Sequence, residues 1–207
     1  MNVHAVVPVK SLDHGKRRLA GALPGHERRR LIETMLEDVV ATLNAVSSIT
    51  VVSVLTDARS LVPQGCVEIE DPGLGLNAAL ARAARIVAAA GASTMLILPA
   101  DLPFVTVEDI QALIDAASDN AIVLAPDAEG VGTNALLISP PGLLEPHFGV
   151  SSSAAHIASA RARGAQVCLL HRHGLARDID EPQHLQTLIE AHSPRYAFLA
   201  GALRQAS

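Results

Sequence analysis

The chain has 207 residues, 49% of them hydrophobic and 18% charged, with a formal net charge of −5. This composition excludes disorder as a description of the whole and gives no generally basic surface for nucleic acid. Aromatic residues amount to 2%, so the core must be aliphatic, and stacking platforms for single-stranded nucleic acid are not expected. Cys66 and Cys168 lack metal-type spacing, so neither a disulfide framework nor a zinc site is indicated. No apolar run approaches the ~18 residues of a membrane span. The opening MNVHAVVPVK lacks a basic-then-apolar leader, and a cytoplasmic location without membrane partners is expected.

In chain order, VHAVVPV over 3–9 reads as a buried strand with Pro8 near its exit. Leu31, Ile32, Met35, Leu36, Val39, Val40 and Leu43 recur at helical spacing and predict an amphipathic helix over 27–46. β-Branched runs at 49–55 and 67–70 predict strands, and the alanine-rich stretch 77–90 predicts a helix. A strand over 94–98 leads into PADLPF, followed by a helix over 106–117 with Glu108 and Asp109 in its first turn. Strands are expected at 121–125, 134–138 and 166–170, with a helix over 153–163 between the last two. A final helix starts at Glu181-Pro182, proline being tolerated in a first turn. Alternating strands and helices imply an α/β three-layer sandwich around a mostly parallel sheet. One domain over 1–207 is expected, with a tail after Pro194 apolar enough to pack, either elsewhere on the chain or on a second subunit in a homodimer.

In such sheets ligands bind beyond the carboxyl ends of the strands. After the first strand, Lys10 and Lys16 bracket a loop that suits a polyphosphate, or they are surface lysines. DPGLGLN, Asp71 to Asn77, is either a glycine-opened approach to a nucleotide or a turn into a helix. Asp101 in LPADLPF sits at a strand end, where a carboxylate needs a partner: a divalent cation, or a helix N-terminus to cap. Asp178 and Asp180 alternate in ARDIDEP, so both point to one side of an extended segment. One would reach the cation of Asp101 while the other caps the last helix. Thr133 and Asn134 of GTNALLI, with Gly149, Ser152 and Ser153 of FGVSSSAAH, suit an anion site, although the serines are equally good N-caps. His156 faces the same ligand or simply solvates its helix, and His171 to His173 read as surface.

Taken together, VVPVK…GKRRLA, DPGLGLN, LPADLPF, GTNALLI, FGVSSSAAH and ARDIDEP resemble, over nearly the whole chain, the phosphoenolpyruvate/2-phospho-L-lactate guanylyltransferases of coenzyme F-420 biosynthesis. The resemblance implies a nucleotide-diphospho-sugar transferase fold, like that of the A-type glycosyltransferases. It implies Mg²⁺ as cofactor, GTP as donor, a small phosphorylated carboxylic acid as acceptor and pyrophosphate as product. A downstream transferase would consume the guanosine diphospho-acid. On this resemblance Asp101, Asp178 and Asp180 hold the metal, and Lys10 and Lys16 lie along the triphosphate. Asp71, Gly73, Gly75 and Asn77 lie near guanosine, and Thr133, Asn134, Gly149 and Ser152 hold the acid's phosphate. Glu181 stands where the family pattern has threonine before the proline.

The attacking phosphate oxygen is already ionised at neutral pH, so positioning and charge neutralisation suffice and no general base is needed. Two alternatives share the fold: a molybdenum-cofactor or sugar-phosphate nucleotidyltransferase, and a non-catalytic nucleotide-binding subunit. Lysines and a histidine in the first loop, where the former carry glycines, argue against the one. Asp101 together with Asp178 argues against the other. Among phosphoenolpyruvate, 2-phospho-L-lactate and 3-phospho-D-glycerate, the choice rests on pocket shape, expected from Met95 to Ala100 and Phe148.

Overall fold

The computed structural model describes residues 1–9, 16–192 and 194–205. Seven strands form one sheet: β1 (Val3–Pro8), β2 (Ile49–Thr56), β3 (Val67–Glu70), β4 (Thr94–Ile97), β5 (Ala121–Pro126), β6 (Thr133–Ser139) and β7 (Gln166–Leu169). Their spatial order is β3-β2-β1-β4-β6-β5-β7. Only β6 is antiparallel to its neighbours, β4 and β5; the other pairings are parallel. The mostly parallel α/β sandwich expected from the alternation is therefore the observed fold. Each expected strand is present to within a residue or two.

Helices α1 (Gly25–Asn44) and α3 (Val107–Asp115) cover one face of the sheet, and α2 (Leu76–Ala89) and α4 (Ser152–Ala162) cover the other. α1 buries the seven apolar residues that its spacing singled out, each fully buried aliphatic side chain contributing about 1.5–3 kcal/mol. Ile32, Leu36, Val39, Val40 and Leu43 meet Val3, Ala5, Val7, Val52 and Val54 of the sheet. On the opposite face, Ala79, Leu80, Ala83, Ala84 and Val87 of α2 pack on Val6, Leu55, Met95 and Ile97. Alanines let α2 lie close to the strands. Met95 to Leu98 are fully buried in this packing, so of the stretch expected to line a substrate pocket only Pro99 and Ala100 reach one.

A third cluster forms outside α1. Leu31 and Met35 of α1 pack with Leu19 from the 3-10 turn Arg17–Gly21 and with Leu23 just after it. Leu185 and Leu188 of α5 (Pro182–His192), and Tyr196, Leu199 and Ala202 at and within α6 (Ala197–Gln205), complete it. The tail thus packs on its own chain. Its apolar positions fall at helical spacing and match the outer face of α1, which they seal. Tyr196 donates to Asp38 at 2.6 Å, Arg195 pairs with Glu37 at 2.9 Å, and the Arg30 guanidinium lies 4.1 Å over the Phe198 ring. Among the described residues no helix is long and apolar enough to cross a membrane.

The β7–α5 connection is fixed at two points. Thr106 and Asp109 form a reciprocal capping box at the start of α3. The second oxygen of Asp109 accepts from Arg172 Nε at 2.8 Å. Beside that pair, Gly174 lies against the Phe104 carbonyl and the Asp109 carboxylate so closely that a Cβ has no room. Arg172, expected at the surface, is therefore a tether, while His171 and His173 are exposed. Gly174→Ala is expected to cost about 1–3 kcal/mol of stability, from overpacking against backbone that cannot yield. For a chain of this size each kcal/mol lowers Tm by about 2–4 °C, so thermal unfolding measures it directly. An unchanged Tm would show that the loop can shift.

Candidate active site

The carboxyl end of β4 brings Asp101 to the edge of the sheet, four residues beyond Ile97. Its main-chain oxygen accepts the Ile179 N–H at 3.0 Å, which fastens the β7–α5 loop to the β4 exit. Ile179 is buried, with 1% exposure, in the cluster outside α1. Because Ile179 points inward, its neighbours Asp178 and Asp180 both point the other way, as the period of an extended segment requires. Asp101, Asp178 and Asp180 consequently offer carboxylate oxygens within 4.8 Å of one another. The three residues were proposed from the ADLP and DID patterns, and they meet.

Lys16 enters this cluster. Its ammonium donates to Asp101 Oδ2 at 2.7 Å and to Asp180 Oδ1 at 2.6 Å, and its side chain is 7% exposed. The backbone adopts a left-handed conformation there (φ 52°, ψ 42°), uncommon outside glycine, to aim the side chain inward. Burial opposes the charge on Lys16, but Asp101 and Asp180 outweigh it and hold the pKa above its ordinary value. Asp180 is likewise resisted by burial, yet Lys16, Arg18 and His184 bring it below the usual carboxylate range. Asp178 goes the other way, raised by burial and by the charges of Asp101 and Asp180. Three carboxylates and one ammonium sum to −2, an excess concentrated on Asp178. A hard divalent cation that takes oxygen ligands fits that donor set. Lys16 was expected along a polyphosphate; here it bridges the carboxylates. Lys10 lies outside the described residues.

From this cluster a cleft of about 600 Å³ runs along the strand ends to β2 and β3. Lys16, Asp101, Asn134, Asp178 and Asp180 line one end, and Asp57, Asp71, Gly73 and Gly75 the other. Gly73 and Gly75 have φ values of 74° and 92°, which explains the glycines in DPGLGLN. Asp71 Oδ1 accepts the Gly73 N–H at 2.9 Å and shapes the turn. Asn77, expected beside guanosine, is occupied elsewhere. Its amide donates to the Phe148 carbonyl at 3.0 Å and accepts from the Phe148 N–H at 2.7 Å, latching the start of α2 to the loop before α4. Asp178 and Asp180 also line a second hollow of about 510 Å³, together with Arg18, Arg177 and His184.

The threonine and serine expected to face a phosphate are brought together but turned inward. Ser152 donates to Thr133 Oγ1 at 3.1 Å, and the two residues are 2% and 6% exposed. Below them His156 is fully buried. Its Nε2 accepts the His147 N–H at 2.8 Å, which places the proton on Nδ1 and makes that atom the donor to Thr133 Oγ1 at 3.1 Å. His156 is neither a ligand-facing nor a solvating residue; it is the post on which the 147–152 loop is hung. The spacing of Ser152, Ser153, His156 and Ala160 on one face of α4 was the available signal. Gly149 remains exposed with φ 127°, and the Asn134 amide points to Asp178 Oδ1 at 3.5 Å.

Burial, and then the nearby His147, lower the His156 pKa from 6.5 to about 4. Between those values the unfolded chain binds a proton there that the folded chain does not, so folding stability rises with pH. Stability contributed by neutral His156 is complete above pH 6.5 and is lost as pH falls toward 4, at about 1.4 kcal/mol per pH unit. Urea unfolding at pH 7, 5.5 and 4.5 is expected to fall more steeply for the native protein than for His156→Gln. Parallel profiles would remove His156 as the acid-sensitive post.

A family model described as "Guanylyl transferase CofC like" matches residues 3–198. A phosphoenolpyruvate guanylyltransferase from Sphaerobacter thermophilus is 39% identical, with 94% of this chain and 95% of that protein aligned. One from Rubrobacter xylanophilus is also 39% identical, over 95% and 98%. Among solved structures, a nucleotidyl transferase from Methanothermobacter superposes with a TM-score of 0.68 at 15% identity, covering 91% of this chain and 96% of that one. A 4-diphosphocytidyl-2C-methyl-D-erythritol synthase from Anaerococcus prevotii does so with a TM-score of 0.65 at 10% identity, covering 96% of each. The structural likenesses establish a fold shared with nucleotidyltransferases. The family match and the sequence relatives carry the assignment further: this chain belongs to the CofC-like guanylyl transferases.

Proposed function

We propose that this guanylyltransferase moves GMP from GTP to a phosphate oxygen of a small phospho-acid, with phosphoenolpyruvate as the acceptor, as its curated relatives are named. The observation that carries the reading is the cluster of Asp101, Asp178 and Asp180, bridged by Lys16, at one end of a cleft of nucleotide size. Mg²⁺ held by the three aspartates would supply the positive charge that offsets the triphosphate and the charge developing on pyrophosphate.

The acceptor's ionised phosphate oxygen attacks the α-phosphorus, a new P–O bond forms, and the bond to the β-phosphate oxygen breaks to release pyrophosphate. No proton changes hands, so the residues act by position and charge. Lys16 favours the ionised form of Asp180 and fixes the geometry of both Asp101 and Asp180. By the sequence resemblance, Lys10 would lie along the triphosphate. Gly73 and Gly75 admit the nucleoside, and Asp71 shapes their turn. Asn134 and the open main chain at Gly149 meet the acid's phosphate, while Thr133, Ser152 and Asn77 hold that loop in place from beneath. A transferase that takes up the guanosine diphospho-acid follows in coenzyme F-420 biosynthesis.

Pyrophosphate release with GTP, Mg²⁺ and each of phosphoenolpyruvate, 2-phospho-L-lactate and 3-phospho-D-glycerate tests the reading. A coupled arm containing the product-consuming transferase guards against product decay. Turnover is expected with phosphoenolpyruvate and is lost on adding a chelator. Asp101→Asn is expected to lower kcat by about 10²–10³-fold, the scale for removing one electrostatic element of such a site. Its Tm should change little, since Lys16 keeps Asp180 as partner. Near-native turnover of that variant would reject the metal role, and silence with all three acids would reject the acceptor class.

A further inference from the structure

Cleft geometry points to a carboxylate that selects the base. Resting on the GTP reading above, we propose that Asp57 recognises guanine by accepting hydrogen bonds from its N1–H and its 2-amino group.

Asp57 follows β2 directly, and β2 is two strands away from β4, whose exit carries Asp101. Neighbouring strands lie ~4.8 Å apart, so the two strand ends are separated by ~10 Å. That is the reach of a nucleoside monophosphate from its phosphorus to the Watson–Crick edge of its base. With the α-phosphate at the aspartate cluster, the base edge falls where Asp57 lines the cleft.

The other carboxylates of the cleft are committed. Asp101 and Asp180 hold Lys16, Asp178 faces them, and one oxygen of Asp71 accepts the Gly73 N–H. Among the described residues, no hydrogen bond or ion pair occupies the Asp57 carboxylate, which is exposed. Leu55 inside the strand and Leu76 at the start of α2 give the neighbouring cleft wall an apolar surface.

A carboxylate has two acceptor oxygens and no donor. Guanine alone among the common bases presents two adjacent donors on its Watson–Crick edge, so it matches both. Adenine and cytosine place a ring-nitrogen acceptor there, and uracil places carbonyl oxygens beside its single N–H. Each of those acceptors would meet a carboxylate oxygen and be repelled, so one residue both attracts guanine and rejects the rest.

The test measures kcat/KM for pyrophosphate release, with phosphoenolpyruvate and Mg²⁺, using GTP, ITP and XTP on the native protein and on Asp57→Asn. Displacement of a fluorescent guanine nucleotide reads binding independently of the acceptor. ITP lacks the 2-amino group, and XTP replaces it with an oxygen. Native protein should prefer GTP to ITP by about tenfold and to XTP by more. In Asp57→Asn, kcat/KM for GTP should fall by about 10–100-fold, the value of a bidentate base contact, while XTP improves because the new amide donates to its oxygen. An unchanged GTP:ITP:XTP order in the variant, or equal loss with all three at unaltered Tm, overturns the assignment of Asp57. If the native protein neither binds nor turns over any of the three nucleotides, the guanylyltransfer reading fails together with it.

Discussion

Three carboxylates gathered within 4.8 Å repel one another, and partial burial strengthens that repulsion. The protein meets the cost with one ammonium group, drawn from a residue 85 positions before Asp101 and 164 before Asp180. Lys16 leaves a net charge of −2 at the cluster, enough to attract a divalent cation without making the apo site untenable. Around this balance the rest of the site is organised. The left-handed backbone at Lys16, the inward Ile179 and the bond from Ile179 to the Asp101 main chain each serve to hold these charges in register.

The sheet alone does not produce that register. Its parallel strands deliver Asp101 to the correct edge, but Asp178 and Asp180 arrive on a loop, and loops drift unless tethered. Two tethers act in series: Arg172 and Gly174 pin the loop to the capped start of α3, and Ile179 drives it into the cluster outside α1. The opposite wall relies on polar fastenings, with His156 under the 147–152 loop and Asn77 joining that loop to α2. The first side is thus secured by packing together with an ion pair, and the second hangs on His156, whose lowered pKa makes it the more sensitive to acid.

Much of this was legible in the sequence. Apolar spacing located α1 and the strands because burial imposes it, and the position of Asp101 and the DID segment after strand-like runs placed the acidic cluster. What escaped was information about direction and partnership. β6 runs against its neighbours, so Thr133 and Asn134 reach the ligand edge from the start of a strand instead of its end, which no local pattern encodes. Thr133, Ser152, Asn77 and His156 have the chemistry of ligand-binding residues, but the first two and His156 bond to one another and Asn77 to the Phe148 main chain, and only the long-range contacts reveal it. The partnership of Lys16 with two aspartates is of the same kind. The tail announced its apolarity but not its destination, since a helix face that fits α1 and one that fits another subunit read alike.

Met35 belongs both to the cleft lining and to the cluster that receives the last helix, and Ile32 stands one turn earlier on the same wall. The C-terminal helix therefore buttresses, at one remove, the surface against which a nucleotide would rest. A disturbance introduced at the very end of the polypeptide, such as a truncation or a bulky fusion, would travel through a single layer of side chains and reach the cleft as a change in its width.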